Sequence, residues 1–104
     1  MSKAKLNPFV PCVISDMEIK YSSHFKRAYK KLDSSLQKKA EKSEELFRKN
    51  PFDSRLDTHK LGGKLQNFYS FSIDHKNRIV FAFASPLRVI FLDIGDHSIY
   101  HARG

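Results

Sequence analysis

The chain has 104 residues, 40% hydrophobic and 29% charged, which supplies one domain with one core and excludes a disordered chain. Nineteen lysines and arginines stand against eleven aspartates and glutamates, a formal net charge of +8. Such an excess attracts polyanions over a Debye length of roughly 8 Å, so RNA, DNA, an anionic membrane or an acidic protein would each satisfy it. The single cysteine, Cys12, excludes an internal disulfide and a CxxC-type zinc cluster and points to a reducing, cytoplasmic compartment. The longest apolar stretch, residues 79–94, is broken by Ser85, Pro86, Arg88 and Asp93, too short and too interrupted to span a bilayer.

Residues 1–15 lack the continuous apolar run of a signal peptide, and Pro8 and Pro11 make them an extended lead-in ahead of a domain over residues 16–104. Residues 17–21 alternate apolar and polar, the pattern of a short strand with one buried face. Ser22 and Ser23 are candidate caps for a helix in which Phe25, Ala28, Tyr29 and Leu32 share a face and Lys26, Arg27, Lys30 and Lys31 fill the other. Asp33, Ser34 and Ser35 break it and cap a second helix, with Leu36, Ala40, Ser43 and Phe47 as its inner stripe and Asn50-Pro51 as its end. Residues 59–65 read as a glycine-hinged connection. Three strands follow over residues 68–74, 78–84 and 87–94, separated by turns at His75-Lys76-Asn77 and Ser85-Pro86. The order is β-α-α-β-β-β, an α+β domain in which a helical hairpin packs on one face of a small antiparallel sheet and leaves the other face partly open.

Four of the five histidines, His59, His75, His97 and His101, fall at strand ends or in connections of the C-terminal half. Loop histidines are common surface residues, and no metal-binding HxxxH pattern accompanies these four. Histidine is also the side chain that takes and gives protons near neutral pH. RNA cleavage by 2′-hydroxyl attack needs a base for that hydroxyl, an acid for the departing 5′-oxygen and cations for the crowded phosphate. Lys60, Lys64 and Arg78 are the candidate cations. Arg78 opens an otherwise apolar strand beside a turn carrying His75 and Lys76, and a strand-edge salt bridge with Asp74 is its bland alternative. Phe68 and Tyr69 could stack on bases, although at strand spacing such aromatics more often fill a core.

The segments YSSHFKRAYKKL, KLGGKLQNFYSFSIDHKNRIVFAF and VIFLDIGDHSIY, spanning residues 17–101 with the order above, resemble the RelE/ParE superfamily of toxins. They are nearest its RelE, YoeB and YafQ-like mRNA interferase branch. The resemblance implies an endoribonuclease that cleaves messenger RNA, in many members within the ribosomal A site, held inactive by a cognate acidic antitoxin. It implies neither a metal nor an organic cofactor, and no membrane partner. By position, Lys60 and Lys64 match the family's basic loop, and Arg78 the arginine opening its RIVF-like strand. His97 and Tyr100 match its C-terminal histidine and aromatic, while His59 and the Asp74-His75 pair look like the extra acid/base groups of the YafQ-like branch. Lys76 and His101 complete the expected RNA-binding set.

One departure stands out. Many RelE members carry an arginine on the aromatic strand, where this sequence has Ser72. A hydroxyl cannot neutralise a phosphate, so the histidine-rich branch fits better. The expected proton-transfer groups are His97 with either His59 or His75, with Arg78 and Lys60 stabilising the phosphorane and Tyr100 orienting or stacking. Two other readings stay open: a ParE-like gyrase inhibitor acting by binding, and a non-catalytic protein that binds an antitoxin or RNA.

Overall fold

The computed structural model describes residues 17–65, 67–96 and 99. The expected lead-in over residues 1–15 and the domain boundary at residue 16 lie outside them. β1 (Glu18–Tyr21) runs into α1 (Ser23–Lys30) through Ser22, whose Oγ accepts the Phe25 N–H at 3.0 Å. Asp33 caps α2 (Ser34–Lys49) in the same way, accepting the Leu36 N–H at 2.8 Å. In both places a short oxygen-bearing side chain satisfies a donor that the first helical turn leaves without a partner. α2 stops at Asn50 because Pro51 cannot extend the hydrogen-bond ladder. Two short 3₁₀ turns (Ser54–Leu56 and Gly63–Leu65) flank β2 (His59–Lys60). β3 (Tyr69–Ser72), β4 (Arg78–Ser85) and β5 (Arg88–Gly95) complete the sheet.

The strands lie in the order β1-β5-β4-β3-β2. The α+β class and the helical hairpin on a small sheet are as the sequence predicts, with two additions. The sheet is mixed, since β1 lies parallel to β5, from Glu18 beside Arg88 to Tyr21 beside Phe91. The helical hairpin carries the chain from β1 at one edge of the sheet toward β2 at the other, and the antiparallel run β2-β3-β4-β5 then returns to lie beside β1. The second addition is β2, an edge strand antiparallel to β3 within the segment that the sequence presents as a connection.

Alternation along the strands sorts residues to two faces. Ile19, Val89, Phe91, Ile79, Phe81 and Phe71 turn toward the helices and form the core with Phe25, Ala40, Phe47 and Leu56. Phe47 of α2 is fully buried at its centre. Its ring stacks on Phe71 at 4.8 Å and meets Phe81 and Phe91 edge-on at 4.8 and 5.4 Å. Phe25 ties α1 to the same cluster, 5.5 Å from Phe91. The opposite face carries Ser70, Ser72, Arg78, Val80 and Asp93. Its centre is not bare, because Ser70 and Val80 are fully buried and Asp93 is 3% exposed.

Removing the Phe47 ring should cost more than any other single truncation in α2. Phe47→Ala is expected to lower stability by about 3–5 kcal/mol, the range for a buried aromatic whose cavity cannot collapse. Urea unfolding followed by circular dichroism should show a lower midpoint at an unchanged slope.

Candidate functional site

Arg78 opens β4 directly opposite Ser72 on β3 and Gly95 on β5. Register partners share a face, so this position turns away from the helices. Nη1 of Arg78 donates to Ser72 Oγ at 2.6 Å and lies 3.9 Å from Oδ2 of Asp57. The arginine side chain is 19% exposed and the aspartate side chain 73%. Its near partner is therefore a neutral hydroxyl, and the carboxylate is both distant and screened by solvent. The guanidinium keeps most of its field for an incoming anion. Asp74, its neighbour in sequence, pairs elsewhere.

Asp57 holds the other half of the site. It adopts a left-handed conformation (φ 51°, ψ 44°) at the end of the Ser54–Leu56 turn, a geometry that aspartate tolerates better than most side chains. Its carbonyl oxygen lies 3.0 Å from Nδ1 of His59. A carbonyl only accepts, so Nδ1 carries the proton and the neutral imidazole keeps its lone pair on Nε2. His59 sits on the exposed edge strand opposite Ser70, on the face that carries Arg78. One residue, Asp57, thus touches both the guanidinium through its carboxylate and the imidazole through its backbone.

The other expected residues among those described lie on β2, on the second 3₁₀ turn and in the β3–β4 turn. Lys60 pairs with Tyr69, which puts it on the helix side of the edge strand, exposed. Lys64 is exposed on the second 3₁₀ turn, where Gly63 supplies a positive φ of 61°. Asp74 organises the β3–β4 turn. Its Oδ1 accepts the N–H groups of Lys76 and Asn77 at 2.9 and 2.7 Å, and its Oδ2 lies 3.6 Å from Nζ of Lys39 on α2. Burial acts to raise the Asp74 carboxyl, but those N–H groups, the Asn77 side-chain amide and Lys39 outweigh it and hold the group below the usual carboxylate range. His75 and Lys76 are exposed in that turn. His97, Tyr100 and His101 lie outside the described residues. The strand that leads to them ends at Gly95, the register partner of Arg78. A Cβ there would come within 2.7 Å of the Ile99 side chain, which is why glycine is required for this close approach.

Two residues that the sequence does not single out join this face. Nε2 of His24, on α1, lies 3.1 Å from Oδ1 of buried Asp93 on β5. Nothing local signals the pair, because the two residues are distant in sequence and meet only where β1 ends and exposes the edge of β5. Among the described residues, no group of three or more histidine, cysteine, aspartate or glutamate side chains is arranged to hold a metal ion. No helix among them is long and apolar enough to cross a membrane. A concavity of about 390 Å³ lies between the helices, lined by Tyr21, Phe25, Tyr29, Glu41 and Glu44. There the hydroxyls of Tyr21 and Tyr29 donate to Glu44 and Glu41, and burial together with those carboxylates pushes both phenols up to about 12. It is a gap in the packing of α1 against α2.

Two outcomes follow from these contacts. Asp74→Ala should lower stability at pH 7 by about 1–3 kcal/mol, because two turn N–H groups lose their acceptor. The folded-state carboxyl titrates below its unfolded value, so this contribution is complete above about pH 4 and disappears as pH falls through the folded value. Denaturation at pH 7 and at pH 2 should show wild type and variant converging in acid. Gly95→Ala should destabilise the fold by about 1–3 kcal/mol through collision with Ile99, read as a lower melting midpoint.

No protein-family model matches the chain, and no curated protein matches it by sequence. Solved structures do match. The YoeB/ParE toxin from Agrobacterium tumefaciens superimposes with a TM-score of 0.66 at 18% identity, over 78% of this chain and 99% of that one. A chain of the E. coli DinJ–YafQ toxin–antitoxin complex gives 0.65 at 15% identity, over 81% and 96%. A chain of the RelBE2 toxin–antitoxin complex from Mycobacterium tuberculosis gives 0.67 at 13%, over 79% and 99%. Each match takes in nearly the whole of the other chain, and the shared element order is that of a helical hairpin on a small mixed sheet. The chain has the fold of the RelE/ParE superfamily of toxins.

Proposed function

We propose that this chain is the toxin of a type II toxin–antitoxin system and acts in the cytoplasm as a metal-independent endoribonuclease on messenger RNA, within the ribosomal A site. The observation that carries the reading is the shared hold of Asp57 on Arg78 and His59. It keeps a guanidinium with a neutral close partner beside an imidazole whose Nε2 is free to accept a proton.

In this reaction Nε2 of His59 takes the proton of a ribose 2′-hydroxyl. The 2′-oxygen attacks the adjacent phosphorus, the bond to the 5′-oxygen breaks, and His97 gives that oxygen a proton. The products are a 2′,3′-cyclic phosphate and a free 5′-hydroxyl. Arg78 neutralises the charge that accumulates on the phosphorane, where a preorganised donor counts most. Lys60, Lys64, Lys76 and His101 hold the flanking backbone, and Tyr100 stacks beside the reacting nucleotide. Of the two partners for His97 offered by the sequence, His59 is favoured over His75 because it shares a contact residue with Arg78. Asp74 serves the turn, and its part in the reaction is indirect. An acidic antitoxin would lie across this face, where it meets the excess positive charge. The structures of DinJ–YafQ and RelBE2, crystallised as toxin–antitoxin complexes, support such a partner.

Purified protein should cleave a short messenger RNA, faster with ribosomes present than without. Arg78→Ala and His59→Ala should each slow cleavage by about 10²–10³-fold without unfolding the protein. Cleavage at the wild-type rate by either variant would remove that residue from the mechanism. Intact RNA together with inhibited supercoiling by gyrase would overturn the nuclease in favour of a toxin that works by binding.

A further inference from the structure

We infer that Ser72 is the positioning residue for Arg78: its hydroxyl holds the guanidinium on the open sheet face and off the Asp57 carboxylate. The inference rests on the nuclease reading above and deepens it. Ser72 and Arg78 are register partners on adjacent strands, so their Cβ atoms are fixed by the ladder and only the arginine has freedom to move. The 2.6 Å contact from Nη1 to Oγ is the short one, and the 3.9 Å approach to Asp57 Oδ2 is at the limit of an ion pair. The guanidinium therefore sits between a neutral acceptor that leaves its charge intact and an anion that would cancel it. Without the hydroxyl, the attraction to Asp57 is unopposed, and the arginine closes on the carboxylate.

At this position, where the family resemblance leads one to expect arginine, serine sets a neutral acceptor directly across the ladder from Arg78. A small neutral acceptor makes one well-aimed cation out of the pair. Ser72 touches no substrate in this arrangement; it acts through Arg78.

The test is a double-mutant cycle on RNA cleavage, with the melting midpoint measured for each variant. Ser72→Ala should lower kcat about 10-fold or more, with KM changed far less and the midpoint nearly constant. Ser72→Thr, which keeps a hydroxyl and suits a strand, should restore the rate. In an Arg78→Ala background, Ser72→Ala should add no further loss. Adding Asp57→Asn to Ser72→Ala should recover part of the lost rate, since asparagine tolerates the left-handed backbone and keeps the carbonyl that holds His59 but carries no charge to capture Arg78. An additive loss in the Arg78→Ala background, a full rate for Ser72→Ala, or no recovery with Asp57→Asn would overturn the inference while leaving the nuclease standing. If the wild-type protein cuts no RNA, the nuclease reading fails. The positioning claim is then decided by the NMR resonance of the Arg78 side-chain N–H groups: it should move in Ser72→Ala and return in Ser72→Thr, and an unmoved resonance would overturn it.

Discussion

The burial of Phe47 among Phe71, Phe81 and Phe91 is the contact on which the rest of the structure depends. Ring pairs of this kind contribute about 0.5–1.5 kcal/mol each beyond the area they bury. Here one ring from α2 meets one residue from each of three strands, β3, β4 and β5. That fixes which face of the sheet the helices occupy. Because strand side chains alternate, it also fixes what is left for the other face: every residue next to a core phenylalanine is turned away from the helices. Ser70, Ser72, Val80 and Arg78 lie on the far side for that reason.

Three arginines pair with anions at close range: Arg88 with Glu18 at 2.9 Å, Arg48 with Glu44 at 3.0 Å, Arg55 with Asp53 at 2.9 Å. Arg78 differs from these three in that its close contact is a hydroxyl and its carboxylate is nearly 4 Å away. Exposed ion pairs contribute little to stability.

Much of the architecture is legible in the sequence because its signals are local. Ser22 and Asp33 are caps by chemistry, the stripe ending in Phe47 follows the helical period, and Pro51 ends α2 for want of an N–H. The parallel pairing of β1 with β5 and the edge strand at His59-Lys60 are not legible. Strand pairing depends on which unpaired backbone edges meet after the helices have packed, and β2 is only two residues long, too short to show a period. The candidate site divides in the same way. Arg78 and His59 stand out by residue type and position, whereas Asp57, which touches both, reads as part of a polar loop. His24 and Asp93 are equally silent until the end of β1 leaves β5 uncovered.

By itself the sequence determined the helices, the caps, the meander, an excess of positive charge and the placing of four of five histidines in the second half, because each of these follows from side-chain chemistry and spacing along the chain. Only the tertiary structure decided that Ser72 faces Arg78, that Asp57 reaches both Arg78 and His59, and that Asp74 turns instead to Lys39. Those contacts depend on strand register and on which face the Phe47 cluster takes. A shift of one residue in register would turn every side chain of a strand to the other side.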